Sequence, residues 1–115
     1  MPVITSKGFP TEWQKGFEQK CGSRFLDPIH SVGVKVGYLV RQLADLYLNH
    51  HPVHLWDTCA PLLILEEAGG RMSHWDGTPL DYSFTGDFTH PQGTVATNGV
   101  RHDDVIKMIR DLPKP

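Results

Sequence analysis

The fold is decided by residues 56–70, which read W-D-T-C-A-P-L-L-I-L-E-E-A-G-G. Asp57 suits the N-cap of a helix, because its carboxylate can accept hydrogen bonds from the free N–H groups of the first turn. Gly69-Gly70 stops the helix, since glycine adopts the left-handed backbone conformation without steric cost. The stretch therefore predicts a helix of about three turns that begins at Asp57. Between these ends, apolar residues recur at the helical spacings of three and four, at Ala60, Leu63, Ile64 and Ala68.

The start of this helix is a candidate ligand site. It combines unpaired N–H groups, a partial positive charge and the carboxylate of Asp57. We expect that carboxylate to be open to solvent on a concave surface, where it would suit a phosphate, a metal ion, or both. The alternative is a capped helix that binds no ligand, and most helices with such a pattern are of this kind.

Composition narrows the class of protein. The 115 residues carry 11 basic and 13 acidic side chains, and this balance does not favour a nucleic-acid polymer as partner. A chain of this length predicts one domain, residues 1–115. No apolar run is long enough to span a membrane, and residues 1–4 do not begin a secretory signal. Cys21 and Cys59 form no C-x-x-C pair, so we expect a reduced, cytoplasmic protein.

Strand and helix patterns alternate along the rest of the chain. Strand patterns occupy residues 3–6, 44–49, 71–75 and 93–99, and Asp76-Gly77 predicts a turn. Helical patterns begin at Thr11, run from Gly33 to Leu43, and begin again at His102, while residues 83–91 predict a loop. This alternation is typical of an α/β fold.

The string W-D-T-C-A-P followed by E-E-A-G-G resembles the C-terminal signature of the inositol monophosphatase family. Its form is most similar to the 3'(2'),5'-bisphosphate nucleotidase branch, and the resemblance extends over residues 3–109. It implies an α/β fold with a layered sheet of about five strands flanked by helices. It also implies the C-terminal half of a magnesium-dependent phosphatase for small phosphorylated nucleotides or polyols, in which Asp57 is a metal ligand.

By the same resemblance, Gly33, Lys35 and Thr58 are substrate-binding residues. Gly33 would allow a close approach to the backbone, and Lys35 matches a lysine that pairs with phosphate. For Lys35, a solvated position at the start of an amphipathic helix is the alternative.

Two positions depart from the pattern of the family. Asn49 stands where relatives carry a substrate-binding arginine or glutamate, and asparagine lacks their charge. Residues 6–9 read S-K-G-F where the nucleotidase branch has a substrate-contacting S-R-S-H. Lys7 keeps the basic character of that string, whereas Phe9 replaces its histidine.

Three histidines precede the W-D pair, at His50, His51 and His54. Zinc binding is one hypothesis, although zinc usually needs four ligands in fixed geometry. The favoured interpretation is a group of half-protonated histidines at the rim of an anion site, which would make binding depend on pH.

The first-half motifs of the family are not found in these residues. They comprise a glutamate that helps to activate water and a D-P-x-D-G-T string with two metal-binding aspartates. Asp27-Pro28-Ile29 resembles its start but continues with His30, and Asp76-Gly77-Thr78 is better explained as a turn. Since magnesium chemistry needs several carboxylates, we expect this chain alone to be inactive, with no catalytic residue of its own.

Two hypotheses follow. The chain is the C-terminal domain of a magnesium-dependent phosphomonoesterase, or it is a non-catalytic anion-binding or assembly module on the same fold. In either case the surface that relatives bury against their first half should be partly apolar. We therefore expect a homodimer or association with such a first half.

Overall fold

A computed structural model describes residues 2–29, 31–80, 82, 89–90, 93–99 and 102–111. The four helices of this part of the chain are α1 (Thr11–Cys21), α2 (Val32–Val40), α3 (Leu55–Glu67) and α4 (His102–Asp111). The strands are β1 (Pro2–Thr5), β2 (Arg24–Phe25), β3 (Leu46–Asn49), β4 (Val53–His54), β5 (Arg71–Ser73), β6 (Thr89–His90) and β7 (Thr94–Thr97). Most of the predicted loop at 83–91 lies outside the described residues.

Five of these strands form one mixed sheet in the order β2-β1-β3-β7-β5. β1 pairs in parallel with β2 and with β3, with Ile4 opposite Tyr47. β7 runs antiparallel to both of its neighbours, β3 and β5. The expected α/β sheet of five strands is therefore confirmed. β4 and β6 form a separate antiparallel pair.

The sheet is covered by helices on both faces, because its central strands are apolar on both sides. Alternate strand residues point to opposite faces. On one face, Val3, Leu46 and Val95 pack with residues of α1 and α4. On the other face, Ile4, Tyr47 and Ala96 pack with residues of α2 and α3. Among the described residues, no helix is both long enough and apolar enough to cross a membrane.

The start of α3 differs from the prediction. The helix begins at Leu55 with His54 as its N-cap, so Asp57 is the third helical residue and not the cap. The reason is that the Asp57 carboxylate accepts a hydrogen bond from the backbone N–H of His54, 3.3 Å away, which is one half of a capping box. The predicted stop at Gly69-Gly70 is confirmed, since the helix ends at Glu67 and Gly69 has the left-handed φ of 88°.

The apolar periodicity of α3 does not mark its buried face. Leu55, Thr58 and Leu65 are the buried residues of the helix. Leu63 and Ile64, on which the periodicity rests, are 60% and 56% exposed. The helix is thus apolar on two sides, which is typical of a helix covered on both sides.

Candidate functional site

The candidate site lies at the carboxyl edge of the parallel strands, which is where ligands bind in open α/β sheets. Ser6 follows β1, and its hydroxyl donates to Oδ1 of Asn49 at the end of β3, 3.0 Å away. The imidazole Nε2 of His51 lies 3.1 Å from the carbonyl oxygen of Lys7. These bonds join the segments that follow β1 and β3 into one surface.

Asn49 organises this edge. It is 2% exposed, and its Oδ1 also accepts from the backbone N–H of His51 at 3.0 Å. Its carbonyl oxygen accepts from the indole N–H of Trp75 at 2.7 Å. From the sequence, Asn49 is predicted only to lack the charge of a substrate-binding residue. The structure shows a positioning residue, and a polar residue at the end of a buried strand was the signal for it.

Asp57 lies in the first turn of α3, which follows β3 after a short segment that contains β4. Its side chain is 43% exposed, and its Oδ2 is 3.6 Å from Nδ1 of His54. Among the described residues it forms no ion pair with lysine or arginine. Burial raises the pKa of Tyr47 to about 12, hydrogen bonds with Thr94 and Asn49 oppose this rise, and the charge of Asp57 adds to it. The Asp57 carboxylate is therefore open to solvent, as expected.

Lys35 is buried rather than solvated, so the alternative of a solvated lysine is wrong. The residue is 1% exposed, and its ammonium donates to the carbonyl oxygen of Ile29 at 2.8 Å. The same ammonium lies 5.1 Å from the centre of the Tyr47 ring. Burial lowers the pKa of Lys35 to about 8. The side chain points into the α2 side of the sheet because it lies on the same helical face as Val32, Val36 and Leu39.

Gly33 is exposed in the first turn of α2, which begins at Val32 and ends at Val40, before the predicted Leu43. Ser31 caps this helix, since its hydroxyl accepts from the N–H of Val34 at 3.2 Å. A side chain at position 33 would make only ordinary contact with Ser31. No described neighbour requires glycine at this position. The role of Gly33 in letting a ligand approach the backbone stays a prediction.

Thr58 faces the interior. It is fully buried, and its hydroxyl donates to the carbonyl oxygen of Leu55 at 3.1 Å. That proton is then committed, so the hydroxyl of Tyr82, 2.7 Å away, donates to Thr58. In this arrangement the Thr58 hydroxyl stabilises the first turn of α3 and is closed off from solvent.

Two of the three histidines contact each other, since the ring centroids of His50 and His51 lie 3.9 Å apart, but His54 packs elsewhere. The His54 ring stacks on Trp56 with centroids 4.2 Å apart, whereas the His50 ring contacts Phe9. Among the described residues, no group of three or more His, Cys, Asp or Glu side chains is placed to hold a metal ion. Burial, followed by the neighbouring His51, lowers the pKa of His50. This direction favours the neutral form of His50, whereas half-protonated rings are predicted for the group.

Neither of the two aspartate strings that resemble the metal motif joins a group of three or more metal-ligating side chains among the described residues. Asp76 accepts hydrogen bonds from the backbone N–H and the hydroxyl of Thr78, and these bonds lower its pKa. Gly77 donates to the carbonyl oxygen of His74, which confirms the predicted turn. Asp27 lies in the segment between β2 and α2, and His30 falls outside the described residues.

The described residues do not form a complete magnesium site. Mg²⁺ prefers six oxygen ligands in octahedral geometry and is usually held by more than one anionic group. Asp57 supplies one carboxylate, and one of its oxygens already accepts the His54 N–H. Further carboxylates would have to come from outside the described residues.

Comparison with known proteins agrees with this architecture. The model of the inositol monophosphatase family matches residues 6–114. The chain is 29% identical over 89 residues to the 3'(2'),5'-bisphosphate nucleotidase CysQ of Escherichia coli K12, an alignment that covers 77% of this chain and 36% of CysQ. It is 30% identical over 76 residues to the mouse Golgi-resident adenosine 3',5'-bisphosphate 3'-phosphatase, with 66% of this chain and 21% of that protein covered.

Solved structures share the fold. The inositol monophosphatase (IMPase) of Thermotoga maritima superposes with a TM-score of 0.71 and 21% identity, over 96% of this chain and 40% of that one. The Anabaena inositol monophosphatase gives a TM-score of 0.69 over 97% of this chain and 44% of that one. The chain thus spans less than half the length of these relatives. Because the family match extends over nearly all of its residues, the chain belongs to the inositol monophosphatase family.

Proposed function

We propose that this chain forms one wall of a magnesium-dependent phosphomonoesterase that acts on small phosphorylated nucleotides or polyols. The observation that carries the proposal is the open Asp57 carboxylate in the first turn of α3, the helix that follows β3 after a short segment. The two named relatives, a bisphosphate nucleotidase and a phosphatase for bisphosphorylated adenosine, support the substrate class.

In this proposal the residues bind and orient a phosphate. Magnesium, when bound, would supply a Lewis acid for phosphoryl chemistry, with Asp57 as one of its ligands. The free N–H groups of the α3 start favour an anion, and Gly33 leaves the backbone of α2 open to it. Lys35 would stabilise negative charge from its position on the buried face of α2, and Thr58 would hold the first turn of α3 in place. We assign no catalytic residue to this chain.

We expect the isolated chain to release no phosphate from inositol monophosphate or adenosine 3',5'-bisphosphate, with or without millimolar magnesium. The physical reason is the ligand count, because one carboxylate cannot hold the metal ions that in-line attack requires. Phosphate release is measured over hours with purified protein.

The complementary experiment adds a separate polypeptide that carries the first-half motifs of the family. Phosphate release in the mixture, lost on Asp57→Asn but retained in the surface variant Lys15→Gln, would support the proposal. Release by the isolated chain that is lost on Asp57→Asn would contradict the expected inactivity. A mixture that binds but stays inactive would favour the assembly module.

The assembly hypothesis has an observation of its own. The exposed apolar residues of α2 and α3 are Val34, Trp56, Leu63 and Ile64, each about half exposed or more. Both helices pack side by side on one face of the sheet. Large exposed apolar surfaces mark interaction sites.

We therefore expect a homodimer through this face at micromolar concentration. A stable interface buries about 800 Å² on each partner, which two helices can supply. Sedimentation velocity should show a dimer that Ile64→Glu converts to a monomer. The matched variant Lys15→Glu, at an exposed position of α1, should remain a dimer. A monomer at every concentration would count against the homodimer.

A further inference from the structure

The turn after β7 carries a chemically reactive pair of residues. The sequence contains two asparagines, and only Asn98 is followed by glycine, at Gly99. An asparagine before glycine is prone to deamidation, because the glycine has no side chain to hinder attack by its backbone nitrogen. Asn98 is exposed, and its carboxamide has no hydrogen-bond partner among the described residues. The group that is attacked in this reaction is therefore accessible to water.

The fold requires the glycine of this pair. Gly99 has a φ of 103°, in the region that side chains of L-residues rarely adopt. A methyl group at this position would also overlap the carbonyl oxygen of Gly69, in the segment after α3. The turn after β7 thus packs closely against another backbone, and no larger residue at position 99 can shield Asn98.

Hydrogen bonds hold the attacking group of the pair. The N–H of Gly99 donates to Oγ1 of Thr97 at 3.0 Å, so the threonine side chain closes the turn. Thr97 is buried, and its hydroxyl lies 3.0 Å from Nδ1 of His102. The Nε2 atom of His102 lies 2.7 Å from the hydroxyl of Ser73. The N–H of Gly99 therefore belongs to a buried network that joins β5, β7 and α4.

Deamidation requires this N–H to leave the network. The nitrogen of Gly99 loses its proton to water and attacks the carboxamide carbon of Asn98. The carboxamide C–N bond breaks, its nitrogen takes up a proton and leaves as ammonia, and a cyclic succinimide remains. Water then opens this ring to give aspartate or isoaspartate. A hydrogen bond from the N–H stabilises the protonated nitrogen and fixes its peptide plane, so it opposes the first step.

We propose that Asn98 is a deamidation site that the network of Thr97 and His102 keeps unreactive in the folded protein. The reaction then follows local opening of the turn, at a rate set by the free energy of that opening. Isoaspartate adds one methylene to the main chain where Gly99 packs against Gly69, so a modified chain cannot restore the turn. Modification of Asn98 therefore marks chains in which the turn has opened. No phosphate or metal takes part, so the site is independent of the proposed phosphatase function.

The test follows the mass of the 115-residue chain during incubation at pH 7.5. Conversion of the carboxamide to a carboxylate adds one mass unit, and peptide mapping assigns the gain to Asn98. The same chain unfolded in urea gives the rate without protection. Because opening must break several hydrogen bonds of the network, we expect the folded chain to deamidate at least about tenfold more slowly.

Variants locate the protection. Thr97→Val removes the acceptor of the Gly99 N–H and keeps the branched shape of the side chain. It should raise the rate in the folded protein about fivefold, the effect of one lost hydrogen bond on an opening equilibrium. Thr97→Ser keeps the hydroxyl and should keep the wild-type rate. Thr94→Val is the matched control, because it removes another buried hydroxyl of β7, which bonds to Tyr47, and should leave the rate unchanged.

Three results would overturn the proposal. A folded wild type that deamidates as fast as the unfolded chain would show that the network gives no protection. Equal rates in Thr97→Val and Thr94→Val would assign the protection to global stability alone. An unfolded chain that gains no mass at Asn98 would remove the modification site itself. If Thr97→Val does not fold, hydrogen exchange of the Gly99 amide in the wild type decides: protection supports the bond to Thr97, and exchange at the rate of an unfolded amide contradicts it.

Discussion

Gly93→Ala is expected to lower the free energy of unfolding by about 4 kcal/mol, a large part of the stability of a small domain. Gly93 has a φ of 82°, which side chains of L-residues rarely adopt. A methyl group there would also overlap the carbonyl oxygen of Asn49. That oxygen accepts the indole N–H of Trp75, so the substitution would disturb the edge that carries the candidate site.

Gly22→Ala is the matched control. Gly22 ends α1 with a φ of 61°, but a methyl group at this position would meet nothing within 4 Å. We expect it to cost only the backbone strain, about 1 kcal/mol. Urea unfolding of the two variants measures the difference. Equal losses would show that the close approach to Asn49 is unimportant for stability.

Acidification from pH 7.5 to pH 5 is expected to destabilise the protein through His102. This residue is fully buried at the start of α4, between the hydroxyls of Ser73 on β5 and Thr97 on β7. Ser73 donates its proton to the carbonyl oxygen of His74, so it must accept from Nε2–H of His102. Nδ1 then accepts from Thr97, whose oxygen accepts from the N–H of Gly99. The network holds a neutral imidazole.

The direction of the pH effect follows from linkage. Burial, and after it the charge of Arg71, lowers the pKa of His102, while Asp103 opposes this. Near and below pH 6.5 the unfolded chain therefore binds more protons at this histidine than the folded chain does. The stabilising contribution is complete above that pH and is lost as the pH falls towards the folded pKa. The loss at pH 5 is at most about 2 kcal/mol, because each pH unit contributes about 1.4 kcal/mol.

His102→Gln isolates this contribution, since glutamine keeps a donor and an acceptor but does not titrate. Thermal unfolding of the wild type and the variant is compared at pH 7.5 and pH 5. The other histidines, including His50, contribute to both proteins and cancel in the difference. We expect the stability advantage of the wild type to shrink at pH 5. An advantage that does not change with pH would contradict the assignment of a neutral, buried ring.

Much of the fold could be predicted from the sequence because its signals are local. Gly22 and Gly69 mark the ends of α1 and α3, and the apolar run at 94–97 marks a buried strand. The predicted layered sheet needed the family resemblance as well. The order of its strands could not be predicted, since no local pattern indicates that β7 lies between β3 and β5.

The site was harder to predict from the sequence because it depends on tertiary contacts. Asp57 was identified by its motif, but its place in the helix follows from the backbone N–H of His54. A lysine near a helix start usually lies in water, and Lys35 is buried because α2 packs on Tyr47. From the sequence, Phe9 was noted only because it replaces a histidine of the family pattern. Its contact with His50 exists because two strands distant in sequence lie side by side.

The position of β7 has a consequence for synthesis on the ribosome. This strand, at Thr94–Thr97, covers one edge of β3 and is the only strand of the five-stranded sheet that pairs with β5. Until residue 97 emerges, β3 therefore keeps an uncovered edge that can pair wrongly with another chain. Pairing of strands so distant in sequence is also slow. Because β3 ends at Asn49, the nascent chain carries this uncovered edge as an aggregation hazard from the synthesis of residue 49 until that of residue 97.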